Sequence, residues 1–274
     1  MLNAECQTLN GECELRFAVR GGRTVLAHSR VRAPMMLVRP FPLEDGGQLV
    51  QLITLGPGLC GGDRIALEIT VEPRARAVIT TPAASRLLSM DAGRQAEQSV
   101  HLTVEPGGTL EYYPAVTIPF PDSAFTQQIL VEAASDARVG LLETWALGRT
   151  SRAEYLRFRE LSSRTALHVG GATVYADATE LCPARDRLDG AAVLAGRRYL
   201  ASGVWFGATL DEAPAPPVDN ADLLFVLAQS RPGIACLRAL GSDAPALDAA
   251  LRRATDRIAA AWQHPPVTLD RFRC

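Results

Sequence analysis

The segment RIALEITV, residues 64–71, alternates its side chains strictly. Ile65, Leu67, Ile69 and Val71 fall on one side, and Ala66, Glu68 and Thr70 on the other. Successive side chains of extended backbone point to opposite faces, so strict alternation marks a strand with one face buried. The pattern recurs down the chain at a spacing of about ten residues, with Gly, Pro or Asp turns between runs. Val100, Leu102 and Val104 alternate with His101 and Thr103. Further runs cover 49–55, 76–81, 109–113, 125–132, 138–147, 153–161, 164–169 and 172–180. A chain patterned this way is mainly β, as a sandwich, barrel or solenoid. No exact repeat imposes a regular solenoid, which leaves β-helix-like coils and stacked antiparallel sheets both open.

The period changes near the C-terminus. The Pro-rich stretch DEAPAPPVDN, 211–220, reads as an exposed loop. Beyond it Leu247, Leu251, Ala254, Ile258 and Trp262 recur at three- and four-residue steps. Ser242 or Asp243 is placed to cap that helix, Pro245 suits its first turn, and Pro265 lies past its end. The expected organisation is a β-rich, β-helix-like domain over 1–210, the loop at 211–220, and a strand–helix portion over 221–274 packed on the same domain.

Composition narrows the chemistry. All 28 basic residues are Arg, so a Walker lysine, a Schiff-base lysine and a Ser–Lys pair are excluded. A net charge of -2 offers no field to gather nucleic acid. No stretch reaches the ~18 apolar residues of a membrane helix; the best, 191–210, is interrupted by Arg197 and Arg198. The N-terminal residues lack a basic segment followed by an apolar run, and the expectation is a cytoplasmic protein without membrane contact. The six Cys form no C-x-x-C pair, and His28, His101, His168 and His264 are scattered. No zinc spacing results, and no tightly bound cofactor is expected.

Residues 56–61, GPGLCG, match G-x-G-x-x-G in letters. A dinucleotide site needs a helix next, whereas a strand pattern follows, and Pro57 removes an N–H from the cradle. Gly61 and Gly62 read as a turn between strands, with Asp63 as a turn carboxylate bonding nearby N–H groups.

Carboxylates inside the β pattern carry more information. Glu143 shares a strand face with Val139, Leu141, Trp145 and Leu147, and Glu154 shares one with Leu156 and Phe158. If GRTSR, 148–152, closes an antiparallel hairpin, Trp145 faces Glu154 and the two acids are near neighbours. Buried unpaired carboxylates are costly, so something must compensate them. Arg149, Arg152 or Arg157 would make an internal ion pair. Alternatively the acids are the pair of a β-rich carbohydrate-active hydrolase, although only 6% of the chain is aromatic. A third reading is a transient path for a divalent cation, since oxygen ligands release such ions readily. Glu111, Asp122 and Asp177 lie near strand boundaries, and Thr80 and Thr81 stand at a strand end without a nucleophile elbow.

Taken in order, GPGLCGGDRI, VITTPAASRL, GGTLEYYPAVTIPF, LLETWALGRTSRAEYLRFR and CLRALG resemble the UreD family of urease accessory proteins, called UreH in some bacteria. The likeness runs from about Arg16 to Trp262. It implies a non-enzymatic nickel-delivery scaffold with a β-helix-like fold. The implied partners are a UreF-type protein, a UreG-type GTPase and urease apoprotein, and the implied cargo is transient nickel(II). Carried over motif by motif, the acidic positions of the path are Asp63, Glu111, Glu143 and Glu154. Thr80 and Thr81 line it, and Gly148 with Arg149 forms a turn. Departures from the pattern include Cys60 for an aliphatic residue, Pro82 after the two threonines, and Arg86-Leu87.

Overall fold

A computed structural model of the chain describes residues 8–210 and 218–269. Most of the Pro-rich loop, Cys6 and Cys274 lie outside the described residues. The chain opens with a hairpin, β1 (Asn10–Arg20) and β2 (Arg23–Arg32), then short β3 (Met35–Leu37) and β4 (Phe41–Pro42). The coiled body follows: β5 (Gln48–Thr54), β6 (Arg64–Val71), β7 (Arg76–Thr80), β8 (Ser85–Leu87) and β9 (Ala96–Val104). It continues through β10 (Thr109–Tyr113), β11 (Thr117–Pro119), β12 (Ala124–Ala133), β13 (Arg138–Ala146) and β14 (Glu160–Val169). Next come β15 (Ala172–Leu181), β16 (Tyr199–Phe206), β17 (Val218–Asp219), β18 (Leu223–Arg231) and β19 (Ile234–Gly241). One α-helix, α1 (Ala244–Ala261), follows, and residues 262–269 close the described structure.

Within the coiled body, successive long strands do not pair with each other. From β5 to β14 the chain alternates between two stacked sheets and adds each new strand parallel to the one laid down a coil earlier. The seven-stranded front sheet runs β15-β14-β12-β9-β6-β1-β2, with β1, β6, β9, β12 and β14 mutually parallel. The twelve-stranded back sheet has β5, β7, β10 and β13 parallel, then antiparallel β16, β19 and β18. The fold is therefore a β-solenoid of stacked sheets with one C-terminal helix, and its coiled part is β-helix-like.

Coiling stacks like on like. Cys13, Leu67, Val100 and Ile129 share one rung of the front sheet, and Leu15, Ile69, Leu102, Val131 and Leu167 share the next. These side chains meet Val50, Ile79, Leu110 and Leu141 of the back sheet in one core. The outer face of the back sheet is covered too. There α1 lays Leu247, Leu251, Ala254, Ile258 and Trp262 against Leu142, Ala201 and Leu237. Each large side chain buried in this way contributes about 1.5–3 kcal/mol. Asp243 is the cap, its carboxylate accepting the Ala246 N–H at 3.1 Å, and Pro245 sits in the first turn.

The expected hairpin after β13 does not form. Both edges of β13 are taken, by parallel β10 and antiparallel β16, which leaves no place for a hairpin partner. Residues 147–159 instead make a compact excursion with a 3-10 turn at Thr150–Arg152 and left-handed backbone at Ala153 and Leu156. The alternation of Glu154, Leu156 and Phe158 belongs to that excursion. The strand itself begins at Glu160.

Candidate functional site

One rung of the interior is polar. In the front sheet Gln98, Gln127 and Ser163 lie side by side on β9, β12 and β14. One rung away, Val100 and Ile129 on one side and Ala96, Phe125 and Leu161 on the other are apolar, and Thr165 beside Ile129 is the polar exception. Facing them from the back sheet is Glu143 on β13. The Gln127 amide donates to Glu143 Oε1, and the Ser163 hydroxyl lies 3.3 Å from both carboxylate oxygens. Gln127 Nε2 also donates to Ser163 Oγ at 3.2 Å. Gln98 Nε2 donates to Gln127 Oε1 at 3.1 Å and to the Tyr112 hydroxyl at 3.4 Å. Both direct donors to Glu143 are neutral, and among the described residues no arginine or histidine forms an ion pair with it.

Glu143 lines a cavity of about 50 Å³ together with Gln98, Tyr112, Gln127, Thr80 and Trp145. That volume holds about three to five water molecules at ~10–15 Å³ of probe-occupied space each. Burial without a counter-cation pushes the Glu143 carboxyl up to about 7. The bonds from Gln127 and Ser163 pull it back, the charge of Asp177 adds to the rise, and that of Arg238 opposes it. Near neutrality the group is poised between an acid that needs no partner and an anion that seeks a cation. The Tyr112 hydroxyl is pushed up as well, first by burial and then by Glu143.

The other acids are already engaged. Asp63 is 2% exposed, and its two oxygens accept the Leu9 N–H at 2.9 Å and the Cys60 N–H at 2.8 Å. It is the turn carboxylate its position suggests, closing the loop where Gly62 has φ +97°. Gly56–Gly61 leads into strand β6, not a helix, so the G-x-G-x-x-G lettering builds no phosphate cradle. Glu111 points to the opposite face of the back sheet, where Arg76 donates to its Oε1 from Nε at 3.2 Å and Nη2 at 2.8 Å. Asp45 holds the other side of Arg76, and His264 Nε2 lies 3.7 Å from Glu111. Glu154 is gripped by Arg149 through two hydrogen bonds, which hold its carboxyl below the usual range. Arg149 also stacks 4.0 Å over Phe120. A Cβ at Gly148, where φ is +122°, would collide with the Glu154 carbonyl. Glu143 and Glu154 thus have separate partners, and only Glu143 lines the cavity.

Thr80 and Thr81 do line it. Thr80 donates to the Tyr113 carbonyl at 2.8 Å, while Thr81 accepts the Ala115 N–H at 2.8 Å and donates to the Ala83 carbonyl at 3.2 Å. Gln98, Gln127, Ser163 and Tyr112 escaped the sequence reading. Their signal was present: Val100 and Val104 extrapolate back to Gln98, and Ile129 to Gln127, as inward positions occupied by amides. No group of three or more His, Cys, Asp or Glu among the described residues is placed to hold a metal ion.

Fold and site together define a β-solenoid with a buried polar rung around one uncompensated carboxylate. Comparison with known proteins gives that architecture a family. The family model for UreD urease accessory protein matches residues 9–274. A urease accessory protein UreD of Deinococcus radiodurans is 34% identical over 254 residues, covering 92% of this chain and 91% of that protein. UreD 1 of a Synechococcus strain is 38% identical over 199 residues, covering 73% and 74%. The chain belongs to the UreD family of urease accessory proteins.

Proposed function

We propose that this chain is a non-enzymatic scaffold in urease maturation, passing nickel(II) toward urease apoprotein in the cytoplasm. It works in a complex with a UreF-type protein and a UreG-type GTPase. The observation that carries the reading is the Glu143 carboxylate, half-buried beside a cavity and bonded directly only by neutral amide and hydroxyl groups. A carboxylate kept without a cation is an expensive feature, and its use is to receive one. Oxygen donors suit a cargo that must be released. Thr80, Thr81, Gln98 and Gln127 offer further oxygen atoms around the same cavity. Asp63, Glu111 and Glu154 support the walls through their backbone and arginine bonds. The absence of lysine fits a chain whose nucleotide chemistry is supplied by its partner GTPase.

No helix of the described residues is long and apolar enough to cross a membrane. The carbohydrate-hydrolase alternative rested on Glu143 and Glu154 acting as a pair. The hairpin that would join them is absent, and Glu154 is committed to Arg149. The test is urease activation by Glu143→Gln and Glu143→Ala variants, with co-purification of the accessory complex as the control. Assembly retained with activation lost is the expected result. Full activation by both variants would remove the proposed role.

A further inference from the structure

The polar rung does not end at Glu143. Along the back sheet the residue paired with Glu143 is Ser202 on β16, and the residue paired with Ser202 is Arg238 on β19. Two strand spacings of about 4.8 Å put the Arg238 Cα about 10 Å from that of Glu143 on the same face. The front sheet mirrors this. Ser163 pairs with Thr179, and Thr165 pairs with Asp177, on β15. The strand β15 ends the front sheet, so the gap between the sheets opens to solvent beside it. An ion pair between Arg238 Nη2 and Asp177 Oδ1 bridges the gap there, with side chains 46% and 22% exposed. From cavity to edge the inward positions are Glu143, Ser202 and Thr179, all small or polar and none fully buried. The charges at the edge are felt inside, because Asp177 and Arg238 both act on the Glu143 carboxyl, in opposite directions.

We propose that Arg238 and Asp177 form a solvent mouth of the Glu143 rung, and that a divalent cation entering there displaces the Arg238 guanidinium from Asp177. The assignment rests on the reading that Glu143 receives a cation. With the pair closed, a fixed positive charge stands over the opening and repels an arriving cation. With Asp177 surrendered to the cation, the guanidinium turns to solvent and the way to Ser202 and Glu143 carries one negative charge at each end. Small polar side chains between them match an ion that keeps part of its hydration shell.

Trp145 lines the same cavity as Glu143, so arrival of a quenching ion is visible in tryptophan fluorescence. The experiment adds Ni2+ alone to the purified full chain and records the rate and midpoint of quenching. Arg238→Met is expected to speed quenching and lower the half-quenching concentration about tenfold or more, the scale of removing one charge near the ion's path. Arg238→Lys keeps the charge and is expected to stay near the parent chain. Asp177→Asn is expected to slow quenching, and it decides the matter if Arg238→Met does not fold. Unchanged quenching in both Arg238→Met and Asp177→Asn would overturn the mouth. Glu143→Gln separates the two levels. If it abolishes quenching while the mouth variants are silent, only the mouth fails; if it quenches like the parent chain, the reading beneath it fails.

Discussion

Two glutamates on adjacent strands of one sheet have opposite fates. Glu111 on β10 pairs with Gly140, three residues before Glu143 on β13, so the two acids face opposite sides of the back sheet. Glu111, 3% exposed, is wrapped by Arg76, which is itself held by Asp45, and His264 closes over it. Glu143 meets only amides and hydroxyls and a small cavity. A buried carboxylate with its cation built in is a tie between elements. Here it fastens β7, β10 and the segment after α1. A half-buried carboxylate whose cation is missing costs stability at neutral pH, and its presence calls for a function. Both faces of this sheet carry an acid, and only the inner one, half-buried, is left without a cation.

The comparison breaks most visibly at Arg76. Arg76→Met leaves Glu111 buried without its cation and is expected to cost about 3–5 kcal/mol, read as a lower urea midpoint. A loss under about 1 kcal/mol would mean that Glu111 is not a structural tie. The converse substitution on the inner face has the opposite sign. The folded carboxyl of Glu143 is raised from 4.5 to about 7, so its contribution is present below the ordinary carboxylate range and is lost as pH rises through about 7. Glu143→Gln is therefore expected to stabilise the chain at pH 8 by up to about 3 kcal/mol, with the gain fading toward pH 4.5. Parallel unfolding curves at the two pH values check it, and a pH-independent difference would contradict it.

Asp63 provides a third kind of buried acid, one satisfied by backbone. Asp63→Ala strands the Leu9 and Cys60 N–H groups and is expected to cost about 2 kcal/mol in thermal unfolding. The smallest effect is at the helix cap. Asp243→Ala is expected to cost about 1 kcal/mol, and to loosen the hydrogen-exchange protection of α1 before that of the sheets.

The coiled body was legible because its strands bury one face, as in β6, where Ile65 to Val71 alternate without exception. Strands β7 and β10 show the limit: every residue in both is buried, because α1 and its neighbours cover the second face. β16, YLASGVWF, lies between both cores, so its apolar run carries little alternation. The exposed edge strand β2 has the reverse difficulty, with few buried positions to mark a period. The hairpin after β13 was misread because neighbours in sequence often pair, and in a coil they stack on opposite sheets instead. Glu143 was found because an acid amid apolar alternation stands out. Gln98, Gln127 and Ser163 were passed over because neutral polar residues inside a strand pattern blur into its solvent face. Their alignment on one rung depends on registers between strands a full coil apart, which no local window contains.

The most direct test is the titration of the Glu143 side-chain carboxyl by carbon NMR, assigned by its disappearance in Glu143→Gln. A carboxylate held inward without a cation titrates near 7, and saturating divalent cation lowers that midpoint. A midpoint in the ordinary carboxylate range, indifferent to added cation, would contradict the account.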